Sequence, residues 1–139
     1  MSVAQFLLDT NVLIRFLVHD DPIQSPQADA LFARADRGEC LLILTDVAIA
    51  EAVWVLCGAY KIDRSAVADS LGTLISKAGI RSPNRDCILD ALIRFKSTSC
   101  DFLDCYLAAM AVESGNGVAS FDRDMRKFKD VTLWKFFGL

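Results

Sequence analysis

Short apolar runs alternate along this chain with longer stretches of helical character, and that alternation restricts the fold more than any other feature. Phe6-Leu7-Leu8-Asp9 reads as a short buried strand, and Cys40 to Thr45, rich in Leu and Ile, as a second. Val118 to Phe121 is predicted as a third strand and Val131 to Phe136 as a last one. Asn11 to Val18 stays apolar and turns helical. Pro22, behind Asp20-Asp21, suits the first turn of a helix that reaches about Arg37 and ends at Gly38. Asp46 to Gly58 reads as a helix, apolar throughout. Asp63 is placed to cap a helix from Arg64 to about Lys77, closed by Gly79. Ser82-Pro83 opens another, cap then first position, running to about Lys96. Asp101 caps a helix from Phe102 to Ser114, ended by Gly115. Strands separated by helices need crossover connections, so the expectation is a mostly parallel sheet in one layered α/β/α domain over residues 1–139.

Composition removes several function classes. No apolar run reaches the roughly 18 residues that span a bilayer. Met1 to Gln5 lacks the basic start and cleavage site of a signal peptide, so a complete cytoplasmic protein is expected. The five cysteines, Cys40, Cys57, Cys87, Cys100 and Cys105, are irregularly spaced, form no C-x-x-C and have only His19 beside them. That set does not suit zinc, and most of these cysteines read as small core hydrophobes. A net charge of −3 argues against broad electrostatic binding of nucleic acid. A local basic run remains: Arg123, Arg126, Lys127 and Lys129. Its plain meaning is a solvated helix face.

Four acids stand out by position. Asp9 ends the first strand and Asp122 the third, and the C-terminal edge of a parallel sheet is where ligands bind. Each also suits a helix cap or turn. Glu51 has Val47, Ala48, Trp54 and Val55 as its helical neighbours and no Lys or Arg within reach on that helix. A carboxylate on an apolar face needs a partner from elsewhere, whether a metal, a distant Arg or hydrogen bonds. Asp104 interrupts an otherwise apolar stretch from Phe102 to Val112, apart from the Tyr106 hydroxyl. With Asp101 it also resembles a capping box. Asp124 competes with Asp122.

Together these acids say more than each alone. In a parallel sheet their places converge on one edge. Clustered carboxylates raise one another's pKa unless a cation neutralises them. Hard oxygen donors without Cys or His point to Mg²⁺ or Mn²⁺. Such an ion suits phosphodiester cleavage, because it activates water and stabilises charge on the phosphate. A single histidine leaves no room for a His-pair ribonuclease mechanism.

The chain resembles the PIN-domain family, and within it the VapC-type toxins of toxin–antitoxin pairs. The resemblance rests on Leu8-Asp9-Thr10-Asn11-Val12-Leu13, on Thr45-Asp46-Val47-Ala48-Ile49-Ala50-Glu51 with Val53-Trp54-Val55-Leu56, on Asp101-Phe102-Leu103-Asp104 with Ala108-Ala109, and on Ser120-Phe121-Asp122-Arg123-Asp124. It implies a three-layer α/β/α sandwich with a mostly parallel sheet of four or five strands. It implies that Asp9, Glu51, Asp104 and Asp122 form the family's acidic quartet. Asp9 and Asp104 would be the principal metal ligands, Glu51 would complete the metal shell or orient water, and Asp122 would bind through water or hold a second ion. Asn11, Thr45 and Ser120 would support the acids by hydrogen bonds, with Asp101 and Asp124 as accessory acids. It further implies an Mg²⁺- or Mn²⁺-dependent endoribonuclease acting on transfer or ribosomal RNA. The partners implied are a second copy in a homodimer, a VapB-like antitoxin whose tail enters the acidic site, and operator DNA reached only through that antitoxin. Apolar surface along Val12 to Val18 or on the helix from Arg64 would serve the dimer or the antitoxin. Beside Asp122, the run with Arg123, Arg126 and Lys127 becomes a candidate RNA contact.

Three rivals fit less well. A phosphoacceptor receiver domain needs an acidic pair after the first strand and a Lys after the last; Asp20-Asp21 comes too late and no such Lys is present. A haloacid-dehalogenase-like phosphatase needs D-x-D, and Asp9-Thr10-Asn11 lacks the second acid. A PIN-fold module that binds RNA or protein without catalysis is the remaining alternative.

Overall fold

Two compact units, divided between Arg85 and Asp86, make up the computed structural model, which describes residues 2–137. In the first, the elements run β1 (Gln5–Leu7), α1 (Thr10–Val18), α2 (Gln24–Asp36), β2 (Leu41–Ile43), α3 (Asp46–Gly58), α4 (Arg64–Ile75) and β3 (Ile80–Arg81). The sheet has the order β1-β2-β3 and is wholly parallel, with Phe6 opposite Leu42 and Leu42 opposite Ile80. Every connection is therefore a crossover carrying helices, as the alternation requires. Three strands are present among the described residues, fewer than the four or five expected.

Local chemistry accounts for most boundaries. The Asp21 carboxylate accepts the amides of Ile23 and Gln24, so α2 starts at Gln24, two residues after Pro22. Gly38 follows this helix at φ +77, a backbone region that penalises a Cβ. Thr45 Oγ1 accepts from the Ala48 amide and Asp63 from the Ser65 amide, fixing the starts of α3 and α4. The core of this unit is aliphatic, with Leu13, Leu42, Leu44, Ile49, Leu71 and Ile75 fully buried. Phe16 stacks on Phe32 and ties α1 to α2.

Three expectations fail here. Gly79 does not close α4, which ends at Ile75; a Cβ at Gly79 would stand 2.5 Å from the Ala35 carbonyl oxygen, so its role is to let β3 enter against the end of α2. The first strand is not buried: β1 pairs with β2 alone, and Phe6 and Leu7 are exposed while Leu8 is buried. Nor is α4 a spare apolar surface, since Val67, Ala68, Leu71, Leu74 and Ile75 are all buried, whereas on α1 only Leu13 and Ile14 of the apolar residues are buried and Val12, Phe16, Leu17 and Val18 stay half-buried.

The second unit holds all but the first residue of α5 (Arg85–Ser97), with α6 (Phe102–Ser114) and a 3₁₀ turn, Arg123–Lys127. Ser82 does not cap α5, which begins three residues later; its hydroxyl is buried without a hydrogen-bond partner among the described residues. Gly115, at φ +75, ends α6. The two C-terminal strands reduce to one parallel bridge, Val118 with Leu133, made by the Val118 amide on Thr132 and the Trp134 amide on Val118. No described helix is long and apolar enough to cross a membrane.

Candidate active site

In the first unit, Asp9 lies just past β1, where Leu8 still donates to the Ile43 carbonyl. It occupies the N-cap position of α1, yet its side chain makes no capping bond. The capping alternative for Asp9 is thus not used, and the exposed carboxylate faces a cavity of about 600 Å³ with Asn11, Val12, Arg15, Gln24 and Gln27. Arg15 in this cavity is already engaged: it reaches Asp20 at 3.1 Å, Tyr60 at 3.2 Å and Gln24 at 3.0 Å. Tyr60 and Asp20 together hold the guanidinium pKa up.

Glu51 is exposed on α3, and so are its neighbours Val47 and Trp54, at 76% and 78%. The apolar face that carries Glu51 is not the buried face of this helix. That side belongs to Ala48, Ile49, Ala52, Val53 and Leu56. The argument that Glu51 needs a partner to offset burial therefore falls away, and its exposed carboxylate makes no ion pair among the described residues. Thr45 caps α3 with its hydroxyl instead of bonding an acid, and the Asn11 side chain makes no hydrogen bond to an acid among the described residues.

The second unit gathers acids. Asp104 sits in the first turn of α6, on the face it shares with Ala108 and Ala111, and is buried. Asp101 precedes the helix but makes no capping bond, so no capping box forms. Asp122 caps the 3₁₀ turn by accepting the Asp124 amide, and Ser120 in turn accepts the Asp122 amide. This pair of bonds folds the segment so that carboxylate oxygens of Asp104, Asp122 and Asp124 lie within 4.8 Å of one another. Burial pushes the Asp104 carboxyl above the usual range, and the charge of Asp122, a hydrogen bond with Asp122, and the charges of Asp101 and Asp124 push it further. Lys127 is the cation at this cluster: its ammonium lies 3.2 Å from Asp124 and 2.9 Å from the Ser99 hydroxyl.

Asp124, weighed as a competitor of Asp122 and as an accessory acid, thus stands beside it as a full member of the cluster. The signal was present in the D-x-D spacing of Asp122 and Asp124, which a short turn folds onto one side. The donors are hard oxygens with too little positive charge among them, a set that fits a divalent cation of the Mg²⁺ type.

A profile of the PIN domain matches residues 6–131 of the chain. The chain belongs to the PIN domain family. PIN domains are generally metal-dependent nucleases that act on RNA, and the three-acid cluster of this member is consistent with divalent-metal binding. A search among curated proteins finds no match.

Proposed function

We propose that this PIN domain is an Mg²⁺- or Mn²⁺-dependent endoribonuclease, the cytoplasmic toxin of a VapBC-type pair. The observation that carries the reading is the buried Asp104, whose carboxylate lies within 4.8 Å of those of Asp122 and Asp124. Such a carboxylate is stabilised as an anion only when a cation joins it. Asp9 and Asp104 are the principal ligands, with Glu51 and Asp122 completing the set and Asp124 and Asp101 accessory to it. The two units act as one nuclease domain.

A divalent ion bound there supplies a water of lowered pKa and offsets charge on the phosphate. The residues do the rest. Glu51, unpaired and in solvent, orients the attacking water and accepts its proton. Ser120 holds the backbone of Asp122, so that the carboxylate keeps one orientation. Arg123 and Arg126 draw in the phosphate backbone, which the acids alone would repel. Lys127 has a narrower part than a free RNA contact, because it is paired with Asp124.

The substrate is a structured site in transfer or ribosomal RNA. The active species is a homodimer, inhibited by a VapB-like antitoxin that carries the complex to operator DNA. The test is cleavage of a mixed transfer and ribosomal RNA pool by antitoxin-free protein with Mg²⁺, Mn²⁺ or EDTA, beside Asp9→Asn and Asp104→Asn. Metal-dependent cleavage that both variants abolish supports the reading. Cleavage that persists in both variants removes the acidic site. Silence under every condition favours a non-catalytic PIN module.

A further inference from the structure

We propose that the aromatic cluster after Ser120 is a stacking platform for unpaired nucleotides of the RNA, an inference that rests on the nuclease reading for the nature of its ligand. Phe121 stacks on Phe136, with ring centroids 4.2 Å apart. Phe121 is nevertheless 78% exposed and Trp134 67% exposed. The two rings share a groove of about 380 Å³ with Asp122, Arg123, Arg126 and Lys135. Arg123, Arg126 and Lys135 are exposed and carry no ion pair among the described residues, unlike Lys127 in the same run and Arg94 on α5.

Exposed aromatic faces beside unpaired cations are the two parts of a single-strand binding surface. Every base has a π-face to stack on a ring, and each phosphate finds a cation. Three unneutralised cations in one groove of a chain of net charge −3 argue against an apolar protein segment as the occupant. A duplex hides its base faces, so the groove selects unpaired RNA. Phe121, Asp122 and Arg123 are consecutive, so a base stacked on Phe121 brings its own phosphate to the acid cluster. The platform thus sets where in a folded RNA cleavage can occur: at a loop or bulge.

The test uses the full chain in EDTA, so that binding is read without turnover. The chain has two tryptophans, and Trp54→Phe leaves Trp134 as the only reporter. An oligoadenylate of about ten nucleotides, within the span such surfaces hold, is titrated against Trp134 emission beside a duplex of equal length. The expected result is saturable quenching by the single strand, with at least tenfold weaker binding of the duplex. Phe121→Ala should weaken single-strand binding about five- to 150-fold, the range of one lost base stack. Arg123→Gln and Arg126→Gln should each flatten the salt dependence, by roughly 0.7 in the log–log slope. Equal quenching by strand and duplex, or unchanged affinity in folded Phe121→Ala, overturns the proposal. If Phe121→Ala does not fold, unchanged salt slopes in both arginine variants overturn it. Trp134 shielded from a neutral quencher without RNA, together with a dimer in sedimentation, makes the patch an interface between copies instead. Quenching without any cleavage in the RNA pool assay would sink the nuclease reading and leave the platform standing.

Discussion

Asp104 and Asp122 bring carboxylate oxygens within 4.8 Å of each other from different elements, α6 and the 3₁₀ turn. Two carboxylates this close repel, and either a proton or a divalent ion relieves the repulsion, so the two compete for the cluster. The cluster therefore exchanges protons for metal, and metal affinity falls with acid.

Asp104→Asn should raise the thermal stability of the metal-free protein at neutral pH. A carboxyl whose pKa rises on folding binds its proton more tightly in the folded state. Stability then falls as pH climbs from the ordinary carboxylate range to the raised value of Asp104, and stays lower above it. The Asn variant lacks this penalty, so its advantage should shrink as pH drops toward the ordinary range. Added Mg²⁺ should raise the melting temperature of the wild type but not of the variant. Cleavage should fall more than about 100-fold, beyond what loss of an outer-shell partner costs. Melting curves across pH, with and without Mg²⁺, decide it; a variant less stable than wild type at every pH refutes it.

Asp122 serves two ends that substitution separates. Asn at this position can still accept the Asp124 amide, whereas Ala cannot. Both variants remove the charge beside Asp104 and only Ala also removes the cap, so Asp122→Ala should be about 1 kcal/mol less stable in urea than Asp122→Asn, the usual cost of a lost cap. Both should lose metal-dependent cleavage. Equal stability of the two variants would show that the cap contributes nothing here.

The helices were legible because their ends carry short-range chemistry. The predicted spans Asp46 to Gly58 and Phe102 to Ser114 coincide with α3 and α6. Strands were less so. Val118 to Phe121 and Val131 to Phe136 have the composition of strands but pair at one point only. Ser120 and Asp122 explain it, since their side chains take the amides of Asp122 and Asp124 and turn the chain out of any ladder. The strand at Ile80–Arg81 escaped notice because two residues give no period to read. The face around Glu51 turned out exposed for a related reason: α3 is apolar on every side, so the sequence could not say which face is buried. Asp104 was legible because it interrupts an otherwise apolar stretch from Phe102 to Val112.

Gly79 carries a packing constraint that conformational freedom does not explain. A methyl group there would press on Ala35 backbone atoms at 2.5 and 2.7 Å, which cannot swing aside as a side chain would. Gly79→Ala should destabilise the fold by about 1–3 kcal/mol, the range for overpacking. Urea titration followed by circular dichroism measures it. A neutral or stabilising outcome would mean that β3 and the end of α2 can separate without cost.

Asp130 should show the opposite pH behaviour to Asp104. Arg94 binds it with two hydrogen bonds, at 2.9 and 2.6 Å, while also reaching Asp90 and lying over the Phe128 ring. The hydrogen bond and charge of Arg94 hold the Asp130 carboxyl below its usual range. A carboxyl depressed on folding contributes stability above its unfolded pKa and loses it as pH falls through the folded value. Asp130 is half-exposed, so solvent screens the pair and the contribution is modest, about 1 kcal/mol for a bidentate contact of this kind. Asp130→Asn should therefore lower stability at neutral pH and match the wild type in strong acid. Its gap from the wild type closes on acidification from a deficit, where that of Asp104→Asn closes from an advantage. Measuring both variants along one pH series separates the two carboxyls, and a deficit for Asp130→Asn that persists unchanged below the ordinary carboxylate range would assign the loss to the placement of Arg94 over Phe128 and not to the charge of Asp130.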